Sequence, residues 1–296
     1  MELARVAGAP ISWGVCEVPG WGYQLEPERV LAELIEVGLT ATEFGPAGFL
    51  PKDPLERAAL LAGAGLRPVG GFVPVVLHDP GADPLAALAP VLADFVAAGA
   101  GVLVLAADTG AVGYDQRAEL DAAAWNRLLS TVDRIAAVAA DSGLLAVLHP
   151  HVGTVVERAP EVRRVLDGCG VQLCLDTGHL LAGGTDPAAL AATAADRIGH
   201  VHLKDVDAAR AARVGAGTAT YTAMVADGMY RPLGQGDAGI ATVVSTLERA
   251  GYGGWYVLEQ DVVLAGPPPP GAGPVTAVRS SVDFLLDLTT GPGPNG

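Results

Sequence analysis

Leu144–His151 (LLAVLHPH), Val171–His179 (VQLCLDTGH), Gly199–Asp205 (GHVHLKD) and Gly253–Asp261 (GGWYVLEQD) each finish an apolar run with polar, metal-capable side chains. Each run is long enough for one buried strand, and helix-like stretches separate them. Side chains alternate between the two faces of a strand. His200, His202 and Lys204 therefore share one face, as do Val147, His149 and His151. Cys174 pairs in this way with Asp176, and Val257 with Glu259. The partners Leu148, Leu175, Leu203 and Leu258 take the opposite face, where a helix layer would cover them. In a parallel barrel the residues at the carboxyl ends of the strands converge on one site. His149, Asp176, His202 and Glu259 are thus predicted to surround one divalent cation.

Four further apolar runs precede these: residues 9–14 (APISWG), 41–46 (ATEFGP), 67–74 (RPVGGFVP) and 101–108 (GVLVLAAD). Amphipathic or alanine-rich segments at 27–37, 54–65, 84–99, 121–141, 160–167, 186–197, 239–250 and 274–288 alternate with the runs. Pro27 and Pro187 suit a first helical turn, and Asp53 and Asp186 suit N-caps. Gly38, Gly143 and Gly251 follow helices, where a left-handed residue closes the turn. Eight such units predict an α/β fold, a single (β/α)8 TIM barrel over residues 1–290; a doubly wound sheet is the alternative. Residues 291–296 read as a frayed tail, and the four prolines of Gly266–Pro274 as a rigid loop. Two long loops, 107–120 and 206–238, follow barrel strands and are expected to shape the site.

Composition narrows the function. The 296 residues are half hydrophobic and carry a formal charge of −15, which opposes binding to a nucleic-acid backbone. The longest uncharged apolar stretch, 95–107, is shorter than the ~18–20 residues of a membrane span. The first residues lack the basic and apolar regions of a secretory signal. Cys16, Cys169 and Cys174 are too few for a disulfide framework and read as core residues in a reducing cytosol. A cytoplasmic enzyme or binding protein for a small polar ligand fits, and a homo-oligomer is compatible.

Two imidazoles with two carboxylates suit Mn²⁺ or Co²⁺, with Zn²⁺ and Fe²⁺ close behind and Mg²⁺ less favoured. Such an ion holds neighbouring carbonyl and hydroxyl oxygens and stabilises the charge left when an α-proton departs. Lys204 and His179 are the candidate bases, and Glu43 and Glu17 are placed to face the cavity. Several assignments stay open: His151 in place of His149 as ligand, His200 as the group that orients a ligand, and Lys204 merely paired with Asp205 at the rim.

The DTGH and HVHLKD segments, followed by the EQD strand end, resemble the sugar phosphate isomerase/epimerase superfamily of xylose-isomerase-like barrels. ISWGVCEVPGWG (11–22), ATEFGP, HPHVGT (149–154), DRIGHVHLKDV (196–206), DGMYRPLGQGD (227–237) and GGWYVLEQD narrow the likeness to the inosose dehydratase family over nearly the whole chain. That resemblance implies metal-dependent loss of water from 2-keto-myo-inositol or a related keto-polyol, as in inositol catabolism. It implies His149, Asp176, His202 and Glu259 as ligands, with Glu259 also in the catalytic set beside Lys204 and His179. Trp13, Glu17, Glu43, His151, Thr154 and Arg231 become candidate substrate contacts, although Arg231 stands where an apolar residue is expected. Most of the superfamily carries glutamate where this chain has His149; the dehydratase-like branch carries histidine. An isomerase or epimerase of a ketose or keto-inositol is the nearest alternative, and a non-catalytic polyol-binding protein a more distant one.

Overall fold

The computed structural model describes residues 1–290, so the frayed tail expected at 291–296 lies outside the described residues. The chain runs β1 (Val6–Gly8), α1 (Pro27–Glu36), β2 (Ala41–Thr42), α2 (Pro54–Gly63), β3 (Arg67–Pro68), β4 (Gly70–Val75) and α3 (Pro84–Ala97). It continues through β5 (Val102–Ala107), α4 (Ala122–Asp141), β6 (Leu145–Leu148), α5 (Ala159–Gly168), β7 (Gln172–Asp176), α6 (Thr177–Ala182) and α7 (Pro187–Thr193). Then follow β8 (Ile198–Leu203), β9 (Asp205–Val206), α8 (Ala208–Gly215), α9 (Tyr221–Ala226), β10 (Tyr230–Arg231), α10 (Ile240–Arg249), β11 (Tyr256–Leu258) and α11 (Pro274–Thr290).

Nine of these strands form one parallel sheet in the order β3-β2-β1-β11-β8-β7-β6-β5-β4. Its two ends meet in a single run broken at Val69. The Val69 amide donates to Thr42 at 3.0 Å on one side, and its carbonyl accepts from Val102 at 3.0 Å on the other. The sheet thereby closes into the (β/α)8 barrel that the alternating runs predict. Asp53 and Asp186 cap α2 and α7 through their side chains, and Pro54 and Pro187 open those helices. Among the described residues no helix is long and apolar enough to cross a membrane.

Side-chain parity separates two apolar layers. Ala7, Ala41, Val104, Val147, Cys174 and Val257 fill the barrel interior. Leu148, Leu175, Leu203 and Leu258 join the larger core beneath the helices. One irregularity decides the site: between Leu173 and Cys174 the register on β8 slips by a residue at Gly199. Ile198 faces the helix layer, yet after the bulge His200 and His202 stand beside Cys174 and Asp176 and point inward.

One expectation is corrected and another refined. The first strand is Val6–Gly8, not 9–14; Pro10–Trp13 is a 3₁₀ turn that Gly14 closes in the left-handed region at φ 80°. The 206–238 segment, expected as a long loop that shapes the site, does cover the barrel mouth but carries secondary structure of its own. It builds α8, α9 and a small antiparallel ribbon, β9 with β10. Cys16, Trp21, Val152, Val206, Tyr221, Met224, Val225, Met229 and Tyr230 form a separate core for this cap over the barrel mouth.

Asp205 ties the cap down, so the Lys204–Asp205 rim pair does not form. Its buried carboxylate accepts from the backbone amides of Val206, Gly234, Gly236 and Ala238 at 2.8–3.0 Å. Removing an acceptor that satisfies several buried amides costs about 3 kcal/mol. Asp205→Ala should therefore lower the unfolding free energy by about 3 kcal/mol in denaturant titration and expose 206–238 to limited proteolysis first.

Candidate metal centre and active site

Of the predicted ligands, His149 and Glu259 sit just beyond their strand ends, where the ladder continues into them as it does into Glu43, while Asp176 and His202 lie within β7 and β8. The amides of Glu43, His149 and Glu259 donate to Gly8, Leu105 and Leu203 at 3.0, 2.7 and 3.1 Å. Asp176 closes β7 and at once opens α6: its Oδ1 accepts from the amides of Gly178 and His179, both at 2.8 Å. Gly178 is required there, since a Cβ would lie 2.6 Å from the Tyr230 ring and 2.7 Å from the Lys204 side chain. Thr177 locks the two strands together, donating to the Lys204 carbonyl at 2.7 Å and accepting from its amide at 2.8 Å.

Four atoms converge as a result. His149 Nε2 lies 3.2 Å from His202 Nδ1 and 3.4 Å from Asp176 Oδ2. His202 Nδ1 lies 3.6 Å from Asp176 Oδ2 and 3.2 Å from Glu259 Oε2. Asp176 Oδ2 is wholly buried and has no hydrogen-bond partner. Ligand atoms about 2.1 Å from a common ion at tetrahedral angles are about 3.4 Å apart. The orphaned oxygen and these spacings fit a divalent ion, which would also offset the buried carboxylate charge.

Behind the ligands, Glu43 Oε1 bridges His200 Nε2 at 3.0 Å and His202 Nε2 at 3.2 Å. Burial would raise the Glu43 carboxyl, but the two imidazoles overcome it and hold it well below the carboxylate range. Glu43 thus orients His202 as much as it lines the cavity, and His200 acts through Glu43. Burial lowers His149, keeping its ring neutral and ready to ligate. His202 is raised despite burial by Cys174 and by the Glu259 and Glu43 carboxylates. Burial pushes the Cys174 thiol up to about 11, consistent with its place in the apolar interior.

Lys204 is buried with Asp176 Oδ2 at 3.5 Å, Glu259 Oε2 at 3.0 Å and Asp261 Oδ1 at 2.8 Å. Burial would lower its ammonium, but these carboxylates raise it well above the usual value. His179 Nε2 stands 3.0 Å from its Nζ, while His179 Nδ1 accepts from the Val152 amide at 3.3 Å. That acceptor role would place the proton of a neutral His179 ring on Nε2, so the 3.0 Å contact is a hydrogen bond only when Lys204 is the free amine. Burial, His151 and Lys204 do hold the ring neutral. Asp261, in phase with Glu259, also accepts from the Tyr221 hydroxyl at 2.5 Å, and Tyr221 lies 3.0 Å from the Tyr230 hydroxyl.

A cavity of about 760 Å³ opens above, lined by Glu17, Glu43, His149, His151, His202, Lys204, Glu259 and Asp261. His151 turns its Nδ1 to the Val152 carbonyl at 2.7 Å, away from the ligand cluster. Its ring instead lies 3.6 Å from that of His179 and 4.5 Å from that of Tyr114. Tyr114 reaches over from the 107–120 loop and donates to Glu17. Arg117 anchors that loop to Glu157 at 2.7 Å and to Glu161.

Three predicted substrate contacts lie elsewhere. The Trp13 indole is packed in the helix-side core and donates to Glu33 at 2.7 Å, because the first strand ends before it. The Thr154 hydroxyl is spent on the carbonyls of His151 and Val156, at 2.8 and 3.1 Å. Arg231, on the β9–β10 ribbon, pairs with Asp207 at 3.3 Å and does not line the cavity. Tyr114, Tyr221, Tyr230 and Asp261 join the site from outside the candidates that the sequence offers. Only Asp261 left a signal, its two-residue step from Glu259.

Metal uptake should release protons, because His202 must shed one to ligate. The apparent dissociation constant for Mn²⁺ is therefore expected to rise as pH falls, with proton release visible by calorimetry in buffers of different ionisation enthalpy. A constant independent of pH would contradict the ligand set. Asp176→Asn should weaken Mn²⁺ at least tenfold without changing the circular dichroism spectrum.

Among curated proteins, the chain is 31% identical over 281 residues to the inosose dehydratase of Geobacillus kaustophilus (strain HTA426), covering 89% of this chain and 90% of the relative. Among solved structures it superposes on an L-ribulose 3-epimerase with TM-score 0.68 and 18% identity, covering 97% of this chain and 95% of the other. The IolI protein with a bound zinc atom superposes equally well, TM-score 0.68 at 13% identity, over 96% and 97% of the two chains. The model of the xylose isomerase-like TIM barrel family matches residues 31–288, and the chain belongs to that family.

Proposed function

We propose that the protein is a metal-dependent lyase that removes water from a keto-inositol or a related keto-polyol. The observation that carries this reading is the convergence of His149 Nε2, Asp176 Oδ2, His202 Nδ1 and Glu259 Oε2, with Lys204 Nζ 3.0 Å from Glu259; all but the fully buried Asp176 line one cavity. The inosose dehydratase relative at 31% identity supports the substrate class. The zinc in the IolI fold-mate supports a divalent ion. Mn²⁺ or Co²⁺ suits the mixed nitrogen and oxygen donors best, with Zn²⁺, Fe²⁺ and Mg²⁺ as further choices.

When bound, the ion supplies Lewis acidity that stabilises the charge on the substrate's ketone oxygen as the α-proton departs. Lys204 is the proton carrier. Were Asp176 and Glu259 to hold an ion, two of the three carboxylates beside its ammonium would be neutralised and its proton would be lost more readily. The resulting amine accepts from His179 Nε2 and stays aligned by Asp261. It takes the proton from the carbon beside the ketone, and the C–H electrons form the new double bond. The hydroxyl on the next carbon leaves with that proton from Lys204, so the balance is one water lost. Glu259 holds the position between ion and Lys204, and Glu17, Glu43 and His151 line the space for the polyol hydroxyls.

Epimerisation shares the first proton transfer, and the L-ribulose 3-epimerase fold-mate keeps that reading in view. An acid/base pair built on two opposed glutamates is not available with His149 in the strand-end position. Incubating Mn²⁺-loaded protein with 2-keto-myo-inositol in D₂O separates the two. Loss of water with a new enone or dione absorbance supports the lyase, whereas deuterium in an isomeric ketone with no water lost overturns it. Lys204→Met should keep the metal and lose at least ~10³-fold in kcat, and Glu259→Gln should lose both.

A further inference from the structure

The cavity is larger than a bare keto-inositol requires. At the ~30 Å³ that water takes per oxygen in the liquid, the roughly one dozen non-hydrogen atoms of a keto-inositol need about 360 Å³. The cleft measures about 760 Å³ with its open mouth included. Beside the polar cluster the cleft is also lined by Phe44 and Leu50 of the loop after β2 and by Phe72, Val73, Val91 and Phe95 of the β4–α3 wall, which together make an apolar side lobe. Phe72 marks the junction, its ring edge-on to His149 at 5.9 Å. Phe44 and Phe95 meet edge to face at 5.3 Å and form the back of the lobe.

The lobe's character is apolar. Its charged groups are Arg57, Asp94 and the exposed Lys52. Arg57 is spent on Asp94 at 2.7 Å, on the Pro51 carbonyl at 3.1 Å and on the Lys52 carbonyl at 3.2 Å, and it lies over the Phe44 ring. Phe72, Val73 and Val91 are only half-buried, so apolar surface is left facing the lobe. Water there finds few partners, and an apolar group that displaces it gains binding free energy.

We propose that the substrate is an O-alkyl or O-aryl keto-polyol, whose ether substituent occupies this lobe while its ring meets the metal centre. The inference rests on the keto-polyol reading of the polar end. It makes the enzyme's preferred substrate a capped polyol rather than the free one, with the lobe selecting for the cap.

Calorimetry on the Mn²⁺-loaded protein with 2-keto-myo-inositol and its O-butyl and O-phenyl ethers tests this without depending on turnover. At least one ether is expected to bind about tenfold or more tightly than the parent, the scale at which even one buried methylene is read; which ether gains more identifies the cap. Val91→Trp, or Ala47→Trp on the exposed loop bordering the lobe, should bring that ratio to about one or below. Two variants guard against a folding failure in either. Parent binding with both ether ratios at or below one in the wild type overturns the lobe assignment alone, as does a gain that both folded variants retain. Failure of every ligand to bind overturns the keto-polyol reading beneath it.

Discussion

Everything at the mouth of this barrel depends on how Asp176 divides its two carboxylate oxygens. Oδ1 caps α6 through two backbone amides, which fixes the side chain's rotation. Oδ2 is thereby aimed at His149, His202 and Lys204 and left without a hydrogen bond. A buried carboxylate oxygen that meets its nearest ring nitrogens and ammonium only at 3.4–3.6 Å is incompletely satisfied, which is costly. The cost is offset when an ion takes that oxygen, so the same residue that builds the strand-to-helix turn creates the demand for a cation. The bulge at Gly199 completes the device by setting His202 level with Asp176.

The cap over the barrel is held by two buried carboxylates with different partners. Asp205 and Asp261 both belong to the rim, yet their roles diverge by direction. Asp205 turns outward and collects four amides of the 206–238 segment, holding the cap in place. Asp261 turns inward and joins Lys204 to Tyr221, the residue that α9 carries over the site. His179 lies stacked against that tyrosine at 5.5 Å. The proton-carrying lysine is therefore enclosed by the barrel beneath and the cap above, where water is kept from competing for its proton.

Much of this was legible from periodicity alone. Apolar runs alternating with capped helices imply the barrel, and in-phase polar residues at four strand ends imply the ligands, because burial on both faces of a parallel strand leaves only its carboxyl end for polar chemistry. His149 rather than His151 as the inward ligand could not be read, since both share a face and only the turn of His151 toward the Val152 carbonyl separates them. APISWG is apolar enough to read as a strand, yet Pro10 and Gly14 are turn-formers, and Trp13 beyond the true strand packs under the helices and not toward the cavity. Tyr114 and Tyr221 come from long connections with no periodicity, so they became visible only with the chain folded.

Anomalous diffraction from crystals loaded with Mn²⁺ tests the central claim most directly. The account predicts a single strong peak inside the barrel mouth, within about 2.0–2.3 Å of His149 Nε2, Asp176 Oδ2, His202 Nδ1 and Glu259 Oε2. A peak held instead by Glu43 and His200, or a cluster free of anomalous signal at saturating Mn²⁺, would contradict it.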